Sequence, residues 1–125
     1  MNVPDDLLYT DEHEWVKIDE ATATIGVTDY AQGELGDIVF IEFPDLNLNF
    51  TKGESIGTIE AVKTVSDIYM PLSGKVLELN DQLNDNPEIV NDNPFDNGWI
   101  IKLQITNIDE ISKLMSSEEY KVFIS

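Results

Sequence analysis

Short runs of β-favouring residues separated by turn punctuation dominate the chain. Residues 15–18 and 22–27 flank the acidic pair Asp19-Glu20, which is the pattern of a hairpin. Ile38-Val39-Phe40-Ile41 is an unbroken apolar run, and it predicts a strand covered on both faces. Residues 55–61, 65–70, 75–79 and 99–105 continue the series. Strands at this spacing predict a mainly β fold, a sandwich or barrel rather than a parallel sheet with crossover helices.

The expected helices are few and peripheral. Thr28 can cap a short turn through Tyr30-Ala31-Gln32 that ends at Gly33, and Asn86-Pro87 opens one turn through Ile89. After Asn107, the positions Ile108, Ile111, Leu114 and Met115 have amphipathic spacing. Ser116-x-x-Glu119 is a capping box, so a last helix carries Tyr120 and Phe123. This C-terminal apolar stripe reads as packing onto the sheet. A weak repeat is also present: Gly36-Asp37-Ile38-Val39-Phe40-Ile41 resembles Gly74-Lys75-Val76-Leu77-Glu78-Leu79, 38 residues on (36 to 74). Such self-similarity suits two sheets related by a pseudo-two-fold axis.

Composition narrows the function. The 125 residues form a single expected domain, 1–125, with 42% hydrophobic residues, enough for a core. Against 25 acids stand 7 basic residues, all lysine, giving a net charge of −18. That surface repels phosphate backbones and anionic headgroups, which excludes nucleic-acid and membrane partners. No apolar stretch approaches the roughly 20 residues that span a bilayer, and the start lacks a basic n-region, so a bacterial cytoplasm is the expected location. The absence of cysteine rules out a thiolate metal site or nucleophile, and the lone His13 rules out a two-histidine motif. Residues 92–98 lack the alternating ligands of a calcium loop, so no metal site is expected. His13 stands among Asp11, Glu12 and Glu14 without a partner nucleophile, and a structural or pocket-lining role fits it better than catalysis. Paired carboxylates can be found at almost any spacing among so many acids, and solvated faces explain them.

The segment Ile59-Glu60-Ala61-Val62-Lys63-Thr64-Val65-Ser66-Asp67 is the most informative. Two β-rich runs flank Lys63 with no room for a long loop, which places the lysine at a hairpin tip. From spacing alone, it is an ordinary solvated lysine. Further motifs change the balance: Tyr9-Thr10, His13-Glu14-Trp15-Val16, residues 25–32 from Ile25-Gly26-Val27 to Ala31-Gln32, Leu35-Gly36-Asp37, Pro71, Ser73-Gly74, Pro94-Phe95 and Gly98-Trp99. In this order, from about Tyr9 to Phe123, they resemble the glycine cleavage H-protein family of lipoyl carriers. Lipoyl domains of 2-oxoacid dehydrogenases usually carry Asp-Lys-Ala at the tip, and biotin carriers Met-Lys-Met. The familiar tip of the resembled family is closer to Glu-Ser-Val-Lys-Ala, from which Ala61 and Thr64 depart while Glu60 and Lys63 stay.

The resemblance implies a barrel-sandwich hybrid with small peripheral helices and a C-terminal helical segment. It also implies lipoate in amide linkage to Lys63, on an arm of roughly 14 Å by single-bond lengths of about 1.5 Å. The implied role is a non-catalytic carrier with no catalytic residue of its own. It takes an aminomethyl group from a pyridoxal-phosphate glycine decarboxylase to a tetrahydrofolate-dependent aminomethyltransferase, and dihydrolipoamide dehydrogenase reoxidises the arm. A lipoate ligase or lipoyl/octanoyl transferase installs it. Glu60 and Gly74 match positions the family uses for recognition in that step, although Gly74 equally suits a role in the fold alone. Glu14 and Asp67 match the pocket against which the loaded arm folds, while Glu12 stands where relatives can carry a smaller residue.

Overall fold

A computed structural model describes residues 1–125 as two antiparallel sheets with short helices at their periphery. The strands are β1 (Leu8–Tyr9), β2 (Glu14–Asp19), β3 (Thr22–Val27), β4 (Ile38–Glu42) and β5 (Asn49–Phe50). They continue with β6 (Ser55–Ala61), β7 (Val65–Tyr69), β8 (Gly74–Leu79) and β9 (Ile101–Ile105). The larger sheet has the order β1-β2-β3-β9-β8-β5, and the smaller has β4-β6-β7. Two sheets, small peripheral helices and a C-terminal helical segment agree with the mainly β architecture that the resemblance implies. Helices α1 (Asp29–Leu35), α2 (Gln82–Asp85), α3 (Ile89–Asp92) and α4 (Ser117–Phe123) cover its edges, with a 3-10 turn at Ile108–Lys113. No helix is long and apolar enough to cross a membrane.

Period-two alternation makes the core. In β3 the buried residues Ala23, Ile25 and Val27 face inward together, and Ile41 of β4 lies opposite Ile59 of β6 on the inner face of the small sheet. With Val16, Ile68, Met70, Val76 and Leu103 they join one contiguous cluster between the sheets. A second cluster, Leu7, Tyr9, Trp15 and Tyr120, ties the C-terminal helix to the β1–β2 end. The rings of Tyr9 and Tyr120 stack at 4.6 Å, and Met115 exchanges backbone hydrogen bonds with Tyr9. Burying each such side chain contributes roughly 1.5–3 kcal/mol, so α4 holds the turn after β1 firmly.

Several sequence expectations shift. The run 38–41 is not covered on both faces: Val39 and Phe40 are 52% and 46% exposed, because a register shift between Ile38 and Phe40 turns both outward. The same irregularity recurs between Val76 and Glu78, at the matching place of the repeat, and the two copies fall one in each sheet. Helix α1 passes through Gly33, where the space beside the backbone is open, and stops at Gly36, whose φ of 80° suits a residue without Cβ. Asn86-Pro87 forms the turn ahead of α3 rather than its first residues, and strand β9 begins at Ile101, not Trp99. The stretch after Asn107 is the 3-10 turn, with Ile108 exposed. The capping box at Ser116 and Glu119 forms as read.

Candidate functional site

Strands β6 and β7 form a tight hairpin because their termini leave three residues, Val62-Lys63-Thr64, to reverse the chain. The Ala61 N–H donates to the Thr64 carbonyl at 2.8 Å, closing the turn. The Val62 N–H donates to the Asp37 carbonyl at 3.0 Å and ties the tip to the start of β4. Lys63 is exposed there, and the chain's ion pairs are made by Lys102 and Lys121, leaving its amine free. Glu60 is opposite Phe40 on one side and Val65 on the other, so the three share the outer face of the small sheet beside the tip.

Gly74 is elsewhere. It is buried in β8 of the larger sheet, opposite Phe50 and Ile105. A Cβ there would sit 2.5 Å from the Gln104 carbonyl oxygen and 2.7 Å from Leu103 Cδ1. The structure therefore brings Glu60 to the lysine tip and gives Gly74 a reason to be glycine that concerns packing.

The turn between β1 and β2 builds a second feature. His13 has a φ of 66°, a left-handed backbone that folds residues 10–14 tightly: the Thr10 N–H donates to the Glu14 carbonyl at 3.0 Å. That turn carries the Glu14 side chain inward, where the residue is only 2% exposed. Its Oε1 accepts a hydrogen bond from the Thr10 hydroxyl at 2.7 Å, and Oε2 accepts one from the Tyr69 N–H at 3.3 Å. Burial pushes the Glu14 carboxyl up to about 8, against the two hydrogen bonds, which favour the ionised form. At neutral pH the isolated carboxyl is therefore largely protonated.

Glu14 and Asp67 line one cleft of about 270 Å³, with Glu12 and Glu34 beside them and Val27, Leu35 and Ile59 as apolar walls. No lysine lines it. A larger groove of about 820 Å³ opens on the other side of Glu14, but it excludes Asp67 and carries Lys52 and Lys113. Asp11, Glu12 and Glu110 line that groove too, but its two ammonium groups offset part of their charge, whereas the smaller cleft has four acids and no lysine and is the better suited to an amine. His13 also lines this cleft, and its Nδ1 lies 2.9 Å from the Tyr120 hydroxyl, which in turn is 2.7 Å from the Thr28 hydroxyl. Burial lowers the His13 pKa against the pull of Glu12, Asp11 and Glu34, which suits a neutral, pocket-lining ring.

Thr10, Leu35 and the Tyr69 backbone belong to this site and were not singled out chemically from the sequence. Thr10 gives no signal on its own. Its hydroxyl matters because Oγ1 also accepts the N–H groups of Glu12 and Glu14, at 3.2 and 3.1 Å.

An exposed lysine on a hairpin tip, in two antiparallel sheets with an acidic and apolar cleft nearby, is the arrangement that a carrier of a lysine-linked acyl arm requires. Comparison with known proteins narrows the class. The family model for the glycine cleavage H-protein matches residues 7–125. A glycine cleavage system H protein of Listeria monocytogenes is 54% identical over 121 residues, covering 97% of each chain. One of Halothermothrix orenii is 51% identical over 124 residues, covering 99% of this chain and 97% of the other. The crystal structure of a glycine cleavage system H protein from Mycobacterium marinum superposes with a TM-score of 0.89 at 33% identity, covering 96% of this chain and 97% of that one. The chain belongs to the glycine cleavage H-protein family. It is a non-catalytic lipoyl carrier that shuttles the aminomethyl group in glycine cleavage, and the family bears its lipoate on a lysine.

Proposed function

We propose that Lys63 is the lysine that bears the lipoyl group, and that Glu14 and Asp67 shelter the loaded arm. The observation that carries this reading is the exposed Lys63 amine within arm's reach of a lysine-free acidic cleft. Asp67 lies four residues along the chain, at most about 13 Å by the strand rise. An arm of roughly 14 Å can therefore fold back to it. The lipoyl group, when bound, supplies the sulfur chemistry that accepts and gives up the one-carbon unit. This chain's residues supply attachment, position and shelter. Val27, Leu35 and Ile59 exclude water along one wall, and the carboxylates hold the cargo's ammonium. A cation arriving beside Glu14 favours its ionised form, so loading at neutral pH releases a proton from that carboxyl.

The finer assignments follow the same reading. Residues 1–125 act as one lipoyl-carrier domain. Its partners are the pyridoxal-phosphate glycine decarboxylase, the aminomethyltransferase and dihydrolipoamide dehydrogenase, with a lipoate ligase or lipoyl/octanoyl transferase installing the arm at Lys63. Relatives in Listeria and Halothermothrix support a bacterial setting, in which the cytoplasm is where we place the protein. Glu60 serves recognition by the installing enzyme, and Gly74 serves it only through the fold.

The test is retention of cargo. After loading by glycine and the decarboxylase, Glu14→Ala and Asp67→Ala proteins should release ammonia faster than the parent. A charge-assisted hydrogen bond contributes roughly 1.5–3 kcal/mol, which corresponds to a change of about ten- to a hundredfold. Equal release rates in all three proteins would remove the cargo from this cleft.

A further inference from the structure

Only Gly36 and Asp37 connect α1 to β4, and this short link meets the lysine tip. The Asp37 carbonyl accepts the Val62 N–H at 3.0 Å, next to Lys63, and Ile38 lies opposite Ala61 in the register of β4 on β6. Asn91 of α3 clamps the same link. Its Oδ1 accepts the Ile38 N–H at 3.0 Å, while its Nδ2 donates to the Gly36 carbonyl at 2.8 Å and to Gln32 Oε1 at 3.0 Å. Gln32 Nε2 is itself committed to Asp29 Oδ1 at 2.7 Å, which leaves its oxygen for Asn91. The Asn91 amide thus uses its acceptor and its donors on three places at once: helix α1, the link and the start of β4. Its neighbour Val90 is fully buried in the core, so the clamp stands on a fixed base.

We propose that Asn91 is a positioning residue, which sets the root of the Lys63 arm at a fixed place relative to the α1 wall of the cleft. The inference deepens the proposed function and rests on it: Lys63 bears the arm, and the cleft shelters its cargo. Helix α1 supplies Tyr30, Ala31, Glu34 and Leu35 to that cleft, while Asp37, two residues past its end, holds the tip. One side chain therefore joins the resting place of the arm to its root. The clamp is needed because the link does not hold itself. Gly36, with its φ of 80° and no side chain, has the freest backbone of any residue type. Ordering two backbone residues costs more than a single hydrogen bond returns in net. Without Asn91 the Val62–Asp37 bond loses its support, and the tip shifts against α1. The hairpin itself persists, since the Ala61–Thr64 bond and the β6–β7 register involve no atom of Asn91. The defect is one of placement rather than of fold. Aspartate cannot replace Asn91, because it keeps an oxygen for the Ile38 N–H but turns its other oxygen against the Gly36 carbonyl.

The experiment compares the parent with Asn91→Ala, Asn91→Asp and Asn80→Ala proteins by two measurements. Asn80 is the control: it is buried, and its Nδ2 donates to the Asn97 and Trp99 carbonyls, both at 2.8 Å, so its loss removes bonds of the same kind away from the link. The first measurement is hydrogen exchange of the Val62 amide by NMR, taken relative to the slowest core amides, which report global unfolding. It should rise about tenfold in Asn91→Ala and about threefold in Asn91→Asp, the loss of roughly one net hydrogen bond, and stay parent-like in Asn80→Ala. The second is ammonia release from lipoylated carrier loaded by glycine and the decarboxylase. It should be about three- to tenfold faster in Asn91→Ala, below the effect of Glu14→Ala because the flexible arm partly compensates, and unchanged in Asn80→Ala. If Asn91→Ala does not fold, the aspartate variant carries both measurements. Parent-like relative exchange at Val62 in the Asn91 variants would overturn the proposal, and so would an equal rise in Asn80→Ala. Parent-like ammonia release would also overturn it where Glu14→Ala releases faster. Parent-like release in Glu14→Ala too, or lipoate mapped to a lysine other than Lys63, means that the underlying reading has failed and the proposal falls with it.

Discussion

Replacing Glu14 by glutamine should make the protein more stable at pH 8 while changing little at pH 5. The folded carboxyl holds its proton up to about 8, against an ordinary value of 4.5, because it is buried. In the unfolded chain the same group ionises near 4.5, so between these values the folded state binds the extra proton. Raising the pH then favours unfolding: stability is fully present below about 4.5, falls as pH rises, and levels off once the folded carboxyl ionises near 8. At about 1.36 kcal/mol per pH unit, and with the slope fading at both ends, the loss between pH 5 and 8 is about 3–4 kcal/mol. Glutamine resembles the neutral acid in shape: its amide oxygen can accept from the Tyr69 N–H, and its NH2 can donate to the Thr10 hydroxyl oxygen, as the acid's own proton would. The variant should therefore lie within about 1 kcal/mol of the parent at pH 5. Urea unfolding of both proteins at pH 5, 6, 7 and 8 measures this, with the difference cancelling the acidic background that they share. Parallel stability profiles for the parent and Glu14→Gln would refute the buried, neutral Glu14. The consequence for function is direct: a carboxyl that is neutral when alone and ionised beside a cation responds specifically to cargo.

Other outcomes follow from the same geometry. Lys63→Arg keeps a charge on an exposed tip, so stability should change by less than about 0.5 kcal/mol while lipoylation, followed by intact mass, disappears. Gly74→Ala pushes a methyl against the Gln104 carbonyl and Leu103, and it should cost about 1–3 kcal/mol in urea unfolding, yet its folded fraction should be lipoylated normally. Tyr120→Phe keeps the stack on Tyr9 but strips the hydroxyl partner from His13 and Thr28, costing about 1–3 kcal/mol by the same measurement. With a net charge of −18, apparent affinity for the decarboxylase should weaken as salt shortens the Debye length from about 10 Å at 0.1 M. A salt-independent value would leave that charge a role in solubility alone.

The elements legible in the sequence are those set by local patterns. Alternation marks β3 and β6 at their observed ends, and the Ser116–Glu119 box needs only four consecutive residues. What escaped depends on distant partners. Val39 and Phe40 read as core because they are apolar, and only their register against β6 turns them outward. Gly33 looked like a stop because glycine disfavours helices, yet α1 ends where the backbone goes left-handed, at Gly36. The two-residue strands β1 and β5 are too short to show periodicity. At the site, Lys63 could be placed on a tip from spacing, but only the resemblance gave it chemistry. The Thr10 hydroxyl could not be read at all, because it matters through a left-handed turn at His13.

The most direct measurement is peptide mapping of the protein after incubation with lipoate, ATP and a lipoate ligase. Lys63 is exposed on its tip and free of ion pairs, and it alone among the seven lysines stands in the turn between β6, which carries Glu60, and β7. The expected result is a single lipoyl group, located on the peptide that contains Lys63. A lipoyl group on any other lysine, with Lys63 unmodified, would contradict the assignment of the arm and with it the role given to the cleft at Glu14 and Asp67.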